Sequence, residues 1–421
     1  MLIRDPVHGD ISLGALEAAV LDLPDVQRLR GIKQLGTASL VYPGALHTRF
    51  DHSLGASAVA HRLVAALRRD GITVARELEE LIAIGTLLHD VTHVPFGHTL
   101  EDERRLFPRH DKGTRLARLL DGALGEGLTR LGVRAEVAAL LGAPSPVALP
   151  AWAGEIVSST VDADLLDYLR RDSRFTGLAH DYDDRVFHYF TVAGDRLALS
   201  MARHGMDRPD ARSEVIQLLR MRYFLTERVY YHHTKVAAGA MISKAVELAC
   251  DTGALAEADL LALNDWTLLD RLARSGVAPI AALVERLQRR ALLKRGYVVS
   301  ARHVDAAGRA ALVGRYHEAR GARHAAEEAL TAALGCAAGE VIVYCPALTV
   351  MKEAAARVVT SRGLGALNDP ADPAGAEIRA LEDRYAQLWR LYVFVPPSAV
   401  ERAAPAAAEL FGYPSEHRGA G

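Results

Sequence analysis

Ile84-Gly-Thr-Leu-Leu-His89-Asp90-Val-Thr-His93-Val-Pro-Phe-Gly-His98-Thr-Leu-Glu101 is the stretch around which the chain is interpreted. An apolar helical run ends in an adjacent histidine and aspartate, and two more histidines and a glutamate follow. So many imidazole and carboxylate groups are costly inside a core unless something binds their lone pairs. The stretch therefore predicts a metal site at a helix end.

The adjacent pair His89 and Asp90 supplies an imidazole nitrogen and a carboxylate oxygen. Neighbouring residues on a helix point about 100° apart, but at a helix end both can reach one ion. Two protein ligands are too few, and His52 and Asp164, each in a strongly apolar helical run, are the candidates for the others. Such ligands suit zinc, iron, manganese and similar ions. Taken alone, the pair could also be a helix-terminal imidazole held by its neighbouring carboxylate.

Composition excludes several classes of protein. The chain has 421 residues, of which 50% are hydrophobic and 24% charged, and its net charge is −2. This composition is typical of a globular protein with a sizeable core, and the near-zero charge gives no strong nucleic-acid signal. An anionic substrate would need a local basic pocket. The three cysteines form no CxxC pair, which argues against a disulfide framework and a thiolate zinc site.

The N-terminal residues Met-Leu-Ile-Arg-Asp-Pro-Val-His lack a basic segment followed by an apolar one, which a secretory signal would need. No apolar run approaches the roughly 20 residues of a membrane span. We therefore expect a cytoplasmic protein without a membrane partner.

Apolar residues at helical spacing predict a mainly α fold. Asp25 is a plausible N-cap after a break at Pro24. The main predicted helices are Leu16–Leu35 (interrupted at that break), Asp51–Arg69, Leu78–Asp90, Lys112–Leu124, Arg134–Leu141, Trp152–Asp172, Arg212–Asp251, Glu257–Leu263, Asp265–Ser275 and Pro279–Ala291.

Two regions carry strand signals. Tyr189–Val192 and Leu197–Ser200 flank Ala-Gly-Asp-Arg and predict a β-hairpin. After Gly296, short β-like segments alternate with Ala- and Arg-rich helices. We therefore predict a helical core over residues 1–295 and a smaller α+β C-terminal lobe over 296–421, with a disordered end at Ser415–Gly421.

Several motifs in one order carry a family resemblance. They are Asp5–Gly9, Gln27–Gly36, Tyr42–Gly55, His89–His98, Val229–Lys235 and, more loosely, Glu382–Val395. With the H…HD…D ligand pattern they closely resemble the HD-domain deoxynucleoside triphosphate triphosphohydrolases, a family that includes the vertebrate sterile-alpha-motif/HD restriction factor and bacterial relatives. The likeness spans nearly the whole chain and is strongest over residues 1–110 and 155–240.

The resemblance implies an HD-domain helical core and a metal-dependent enzyme that cleaves a dNTP to deoxynucleoside and inorganic triphosphate. It implies one divalent ion, with Fe, Mn, Zn, Ni and Co equally suited to the ligands, and it allows additional Mg bound with the nucleotide. The implied ligands are His52, His89, Asp90 and Asp164. The implied catalytic residues are His93, His98, Glu101, His110 and the phosphate ligand Arg49, with His98 as the expected proton donor.

The same resemblance implies contacts to sugar and phosphates. The implied substrate-binding residues are Gln34, Leu35, Arg49, Tyr168, Arg171, Asp172, Arg222, Tyr230 and His232. Competing interpretations are that Arg49 pairs with Asp51, that His98 caps a turn, and that Tyr230 belongs to the core. The chain departs from the family pattern at His233, where lysine is common, and this departure leaves base preference open.

Regulation and assembly are also implied by the resemblance. Asp22, Gln27 and Arg30 match residues that bind an activating nucleotide, GTP or a dNTP, and Arg290 and Lys294 loosely match a second nucleotide site. Solvated helix charges are the simpler interpretation of both sets. We expect a homo-oligomer, either dimer or tetramer. Alternative functions are an HD phosphohydrolase acting on another nucleotide, modified or less phosphorylated, and a catalytically silent nucleotide sensor.

Overall fold

Helices form most of the protein in the computed structural model, which describes residues 1–111 and 113–417. The chain begins with an antiparallel hairpin of β1 (Leu2–Asp5) and β2 (Gly9–Ser12). Nine helices follow in the described residues up to 176. They are α1 (Ala15–Leu21), α2 (Pro24–Gln27), α3 (Arg49–Arg69), α4 (Arg76–Leu88), α5 (Arg115–Leu120), α6 (Ala123–Arg130), α7 (Arg134–Leu140), α8 (Ala151–Val157) and α9 (Ala163–Thr176).

Helix α3 is central to this first group because it packs against both α4 and α9. Its apolar residues, including Leu63 and Val64, are fully buried. Thr48 caps the helix by accepting a hydrogen bond from the Asp51 N–H group, which fixes its first turn. The first turn of α3, the end of α4 and the first turn of α9 carry the predicted metal ligands.

The predicted β-hairpin is confirmed as β3 (Phe190–Ala193) and β4 (Arg196–Ser200), which pair antiparallel. A two-residue pair, β5 (Ala202–Arg203) and β6 (Met206–Asp207), follows it. The next helices are α10 (Pro209–Leu225), α11 (His233–Asp251), α12 (Glu257–Leu260), α13 (Asp265–Ala273) and α14 (Ala278–Gln288).

The remaining residues form the predicted smaller α+β part. Three strands, β7 (Lys294–Ser300), β8 (Ile342–Tyr344) and β11 (Arg390–Val395), make an antiparallel sheet in the order β7-β11-β8. The elements in chain order are β7 (Lys294–Ser300), α15 (Ala306–Leu312), α16 (Arg320–Leu334), β8 (Ile342–Tyr344), β9 (Arg357–Thr360), β10 (Gly363–Ala366), α17 (Ala376–Ala386), β11 (Arg390–Val395) and α18 (Val400–Phe411). The predicted mainly α fold with an α+β C-terminal part is thus confirmed.

One segment of the C-terminal part joins the helical core. Strand β9 pairs parallel with β4, so that a second sheet runs in the order β10-β9-β4-β3. Val358, Ile378 and Tyr385 are buried in the same apolar cluster as residues of α3 and α9. The division at residue 295 stays a prediction, and these contacts run across it.

Several predicted helices are wrong in their boundaries. Leu23, not Asp25, is the N-cap of α2, because Pro24 occupies its first position. The predicted helix 152–172 is two helices, since Asp162 accepts a hydrogen bond from the Leu165 N–H group and starts α9 afresh. The helix predicted over 212–251 is interrupted at residues 226–232. Helix 112–124 is replaced by α5 and α6, and Lys112 lies outside the described residues.

The chain end also differs from the prediction of disorder. Glu416 donates its N–H to the Val298 carbonyl at 2.8 Å, and the Ser415 hydroxyl accepts from the Val298 N–H group at 3.3 Å. Residues 415–417 therefore lie along β7, whereas 418–421 are outside the described residues. Within the described part of the chain, no helix is long and apolar enough to cross a membrane.

Candidate functional site

Four side chains from three helices converge on one point. They are His52 on α3, His89 at the end of α4, Asp90 beside it, and Asp164 on α9. The His52 and His89 Nε2 atoms are 3.2 Å apart, and Asp164 Oδ1 lies 3.0 and 3.7 Å from them. Asp90 Oδ1 is 3.5 Å from His89 Nε2. Donors around a zinc-sized ion lie roughly 3–3.5 Å apart, so His52, His89 and Asp90 can share one divalent ion, and Asp164 lies beside both histidines.

Both histidines are oriented by a hydrogen bond on the ring nitrogen that faces away from the convergence point. His52 Nδ1 lies 2.7 Å from Asp167 Oδ2, and His89 Nδ1 lies 2.6 Å from the Thr86 carbonyl oxygen. A proton on each Nδ1 leaves the Nε2 lone pair free for a metal. The tautomer required of a ligand is therefore built into the site.

Asp167 is a residue whose role the sequence did not reveal. It is fully buried and accepts from Arg171 as well as contacting His52 and, at 2.6 Å, His8 Nε2. Burial opposes its charge, but the Arg171 guanidinium and these hydrogen bonds hold the pKa of the carboxyl well below its usual range. Asp167 is thus an anion that fixes His52. Its position three residues after Asp164, on the next turn of one helix, was the available signal.

Charge in the metal centre is balanced by neighbouring groups. Burial disfavours the His52 imidazolium, but its hydrogen bonds to Asp164 and Asp167 prevail and raise its pKa to about 10. Burial also opposes ionisation of Asp90 and Asp164. Arg49, His93 and His89 nevertheless keep the pKa of Asp90 well below its usual range, and His52 and His89 lower the pKa of Asp164. The lowered pKa of the two carboxyls and the raised pKa of His52 both show that a positive charge is favoured where the four side chains converge. A divalent ion would take the place of the His52 proton.

Arg49 lies against the metal centre, as predicted. Its guanidinium is buried and bonds to Asp90, not to Asp51, which instead bonds to Thr48. A β-carbon on Gly97 would stand 2.5 Å from the Arg49 Nη2 atom. The planar group therefore packs on the α-carbon of Gly97, and its Nε atom has no protein partner.

The predicted acid/base residues form one cluster beside Arg49. The His93 and His110 rings stack at 3.8 Å, and His98 meets both edge-on, at 4.8 and 5.0 Å between ring centroids. Glu101 Oε2 lies 3.1 Å from His110 Nδ1 and 3.5 Å from His98 Nδ1. His98 is the accessible member, with 46% of its side chain exposed.

Electrostatics differ within this cluster. Burial, together with Arg49 and His110, lowers the pKa of His93 far below its ordinary value, and burial also lowers that of His110. Hydrogen bonds to His110 and His98 outweigh the burial of Glu101 and lower the pKa of its carboxyl. Arg115 adds a 2.5 Å ion pair to Glu101. The cluster thus combines two imidazoles of lowered pKa, His93 and His110, with the carboxylate of Glu101, whose pKa is also lowered. His93, His98 and His110 are also close enough to share an ion.

Asp172 and Tyr230, both predicted to bind substrate, are in direct contact. The Tyr230 hydroxyl donates to Asp172 Oδ2 at 2.7 Å, and Asp172 Oδ1 lies 2.8 Å from His47 Nε2. Burial, with the Asp172 carboxylate, raises the pKa of Tyr230 well above its usual value. His47 was missed by sequence reasoning, although it stands inside the Tyr42–Gly55 motif. Gln34 donates its backbone N–H to the His47 carbonyl at 3.0 Å, and its buried side-chain oxygen has no partner.

Arg222 bridges the two tyrosines of the predicted substrate set. Its guanidinium carbon lies 5.4 Å from the Tyr168 ring centre and 5.3 Å from that of Tyr230. The buried Glu353 carboxylate, from the C-terminal part, is 3.5 Å from Arg222 Nε and has no hydrogen bond of its own. Leu35 is buried beside Gly36 at the edge of this region.

Arg171 and His232, both predicted to bind substrate, make contacts within the protein. The Arg171 side chain is fully buried, and its guanidinium bonds to Asp167 and Asp5. The positive charge of Arg171 stabilises the ionised Asp167 carboxylate, which orients His52. His232 caps α11 by accepting from the Thr234 N–H group, and its ring stacks on His233 at 4.5 Å.

The predicted effector residues lie at the α1–α2 turn. Asp22 ends α1, and Gln27 donates to the Leu21 carbonyl at 2.8 Å. Gln27 also accepts from Arg30, whose guanidinium lies 3.6 Å above the Phe50 ring centre. Asp22 and Arg30 remain exposed.

Sequence comparison defines the class of this chain. Residues 49–172 match the HD domain, and residues 214–419 match the HD associated region. The first match contains all four convergent ligands. The chain therefore belongs to the HD-domain proteins, with an HD domain joined to an HD associated region.

Three relatives show how far the likeness extends. An uncharacterized protein of Methanocaldococcus jannaschii is 32% identical over 70% of this chain and 58% of its own length. The uncharacterized YwfO of Bacillus subtilis is 29% identical over 58% and 54%. The deoxynucleoside triphosphate triphosphohydrolase SAMHD1 of Mus musculus is 28% identical over 58% and 43%. The chain thus spans about half the length of these curated relatives.

Two solved structures share the fold. A phosphohydrolase from Bacteroides thetaiotaomicron has a TM-score of 0.70 at 22% identity, covering 94% of this chain and 99% of the other. A hypothetical protein from Aquifex aeolicus has a TM-score of 0.69 at 22% identity, covering 97% and 99%. The whole described architecture, including the C-terminal part, is therefore a recurring one.

Proposed function

We propose that the protein is a metal-dependent triphosphohydrolase that cleaves a dNTP to a deoxynucleoside and inorganic triphosphate. The observation that carries the proposal is the junction of three groups: the four-ligand centre, the histidine cluster with Arg49 beside it, and the Asp172–Tyr230 pair. The similarity to SAMHD1, whose name is deoxynucleoside triphosphate triphosphohydrolase, supports the same proposal.

Each group would have a defined task. His52, His89, Asp90 and Asp164 would hold a divalent ion, which would supply a bound water of lowered pKa and would polarise a phosphate oxygen. Arg49 and Arg222 are fixed cations that stabilise the charge developing on the phosphate oxygens. His98, the accessible histidine, donates the proton to the departing 5′-oxygen, and Glu101 orients its ring.

The sugar would be recognised by Asp172, Tyr230 and Gln34. Both Asp172 oxygens are already aligned by His47 and Tyr230, and each keeps a lone pair for a 3′-hydroxyl. The Tyr230 ring, held between Asp172 and Arg222, is the surface against which a 2′-carbon would pack. A 2′-hydroxyl there would lose its water without gaining a partner, which costs binding energy.

Product identification tests this function. The protein is incubated with each dNTP and with Mn²⁺, Fe²⁺, Co²⁺, Ni²⁺ or Zn²⁺, and the products are separated by ion exchange. Free triphosphate is expected, and release of monophosphate with pyrophosphate would contradict the proposed bond cleavage. The double variant His89→Ala, Asp90→Ala should be inactive, whereas His324→Ala, at an exposed histidine on α16, should keep wild-type turnover.

A different nucleotide is the second candidate substrate. The observation that favours it is His233, which stands where the family commonly has lysine and lies with His232 in a stacked pair. A panel that adds deoxynucleoside mono- and diphosphates and modified nucleotides decides between the two. A preference of tenfold or more for one of these compounds would favour the second candidate. A protein that binds nucleotides and turns over none of them would instead be a sensor.

Nucleotide activation is a further part of the proposal. Arg290 and Lys294 line a cleft of about 710 Å³ together with His233, Arg295, His417 and one acid, Glu401. This basic cleft has the size and charge for a nucleotide. GTP or dATP should raise dNTP turnover in the wild type but not in Arg290→Ala, Lys294→Ala, whereas Arg289→Ala, at an exposed neighbour paired with Glu285, should respond normally.

Assembly into a homodimer or homotetramer belongs to the same proposal. Nucleotide sites between subunits, implied for Asp22, Gln27 and Arg30, would make assembly depend on the activator. Light scattering with and without GTP measures the mass directly. A monomer under both conditions would remove this part of the proposal and leave the catalytic part intact.

A further inference from the structure

Asp265 connects two segments of the candidate site that are far apart in sequence. It is the first residue of α13 and is 1% exposed. Its Oδ1 atom accepts from the Phe96 N–H group at 2.8 Å, and its Oδ2 atom accepts from the Lys33 N–H group at 3.0 Å. Phe96 lies two residues before His98, and Lys33 lies one residue before Gln34.

The first of these segments, residues 94–98, has a backbone that needs support. Phe96 has φ +60° and Gly97 has φ +56°. A left-handed conformation is unfavourable for a residue with a bulky side chain. The hydrogen bond from Phe96 N–H to Asp265 offsets part of this cost. Because Arg49 packs on the α-carbon of Gly97, the conformation of this turn also determines where the guanidinium lies.

The second segment, residues 32–36, runs beside the start of α3. Lys33 forms an isolated antiparallel β-bridge with Thr48, the residue that caps α3. The Ile32 carbonyl accepts from the Arg49 N–H group at 2.8 Å. The segments also touch directly, because a β-carbon on Gly36 would stand 3.3 Å from the Phe96 carbonyl oxygen. A displacement of one segment is therefore transmitted to the other.

Arg28 binds the residues that immediately precede this turn. Its Nη2 atom donates to the Val91 and His93 carbonyls at 2.9 and 2.8 Å, and its Nη1 atom donates to the Leu263 carbonyl at 3.2 Å. The turn is thus held through its Phe96 N–H group and through two carbonyls of the residues that precede it. Leu263 and Asp265 both belong to the HD associated region, outside the matched HD domain.

We propose that Asp265 is a positioning residue, whose buried carboxylate fixes the turn carrying His98 and the segment carrying Gln34 in one arrangement. It touches neither the metal ligands nor the expected reacting atoms. Its effect is transmitted through two backbone amides. The region after residue 214 would thereby help to set the distance between the acid/base cluster and the sugar site. The kinetic consequence rests on the proposed function, whereas the structural consequence does not.

Amide hydrogen exchange tests the structural consequence without any substrate. In the wild-type protein, the Phe96 and Lys33 amides should be protected to a similar degree, since one carboxylate accepts from both. An amide exchanging at the rate of a free peptide in either segment would overturn the proposal. In Asp265→Asn, the side chain keeps one acceptor and places a donor against the other N–H group, so at least one of the two amides should exchange at least tenfold faster.

The matched control is Asp270→Asn, on the same helix, where the carboxylate is exposed and pairs with Arg274. It should leave exchange of both amides unchanged. A uniform rise in exchange over the whole chain of Asp265→Asn would mark Asp265 as a general stabiliser and overturn the proposal. If that variant does not fold, Asp265→Ser, which also cannot accept from both amides, replaces it, and the wild-type measurement still decides.

Steady-state kinetics test the catalytic consequence. Asp265→Asn should lower kcat ten- to a hundredfold and reduce the preference for a dNTP over the corresponding NTP, with bound metal unchanged. Unchanged kcat and unchanged sugar preference would overturn the positioning role. If the wild type turns over no dNTP, the proposed function fails, and the exchange measurements on Phe96 and Lys33 still decide the role of Asp265.

Discussion

At the scale of single residues, the sequence predicted the candidate metal ligands but not the residues that support them. His89 and Asp90 are adjacent in sequence and stand at a helix end, so the pattern alone indicated a metal. Asp167 and His47 act on other residues, and their partners lie 115 and 125 positions away. A contact between residues so distant in sequence follows from helix packing, which a single sequence does not encode as a local pattern.

Replacement of Asp167 tests its support of the metal centre. Asp167→Asn removes the anion that orients His52 and partners Arg171, and the loss of such a support typically lowers metal affinity 10- to 100-fold. Metal content after dialysis and titration with Mn²⁺ measure the effect. Asp181→Asn, at an exposed carboxylate paired with Arg170, is the matched control and should retain its metal. Equal affinity in both variants would contradict the assigned role.

Glu103 gives a prediction about pH. It is buried, both its oxygens lack hydrogen bonds, and Lys235 Nζ is 3.7 Å away. Burial raises its pKa to about 8 despite that lysine. The folded state therefore holds the proton more tightly than the unfolded chain, whose carboxyl titrates near 4.5. The stability linked to Glu103 is complete below pH 4.5 and is lost as the pH rises through 8.

Glu103→Gln should remove this loss and stabilise the protein by roughly 2–5 kcal/mol at pH 9. Thermal unfolding from pH 5 to 9 measures the difference from the wild type, which should grow with pH. Glu285→Gln, at an exposed glutamate on α14, should follow the wild type throughout. A constant difference between Glu103→Gln and the wild type at all pH values would show that Glu103 does not titrate as described.

At the scale of helices and strands, long amphipathic segments were predicted correctly and interruptions were not. Helices α3 and α4 were predicted within two residues at either end because their apolar residues recur at helical spacing. The break between α8 and α9 depends on the Asp162 cap, and the break before α11 depends on the His232 cap. A capping hydrogen bond interrupts an apolar pattern that otherwise continues, so periodicity alone overlooked both.

The crossing of α3 and α9 depends on Gly55. A β-carbon there would stand 2.0 Å from Arg171 Nη2 and 2.1 Å from Asp167 Oδ1. Gly55→Ala should therefore separate the two helices, destabilise the fold by about 1–3 kcal/mol and reduce the bound metal. Gly321→Ala is the control, because the same change within exposed α16 meets no atom within 4 Å and raises helix propensity. Chemical denaturation and metal analysis of both variants provide the measurement.

At the scale of the whole molecule, the sequence indicated the C-terminal α+β part. It did not indicate that this part shares a sheet and an apolar cluster with the helical core. The strands β9 and β10 are short and their sequences, Arg-Val-Val-Thr and Gly-Leu-Gly-Ala, carry little signal. Their pairing with β4 arises from tertiary contacts. Val298, Tyr344 and Phe394 similarly pack in one apolar cluster with residues of α11.

Truncation tests whether the helical core depends on the C-terminal part for its folding. A chain of residues 1–295 would expose the apolar surface that Val358, Ile378 and Tyr385 cover in the full protein. We expect it to aggregate, or to bind a hydrophobic dye and unfold without a cooperative transition. Residues 1–417, lacking the last four residues, should behave as the full chain. A soluble and cooperatively folding 1–295 fragment would instead establish that segment as an autonomous domain.

The parallel pairing of β4 with β9 also has a consequence during synthesis. Asp164 completes the metal-ligand set, whereas Val358, which pairs with Leu199, is added much later. At typical elongation rates this interval lasts on the order of ten seconds or more. The growing chain thus carries all four donors before the last strands that complete its hydrophobic core exist. We therefore expect stable metal uptake after release from the ribosome, and dependence of the unfinished chain on chaperones.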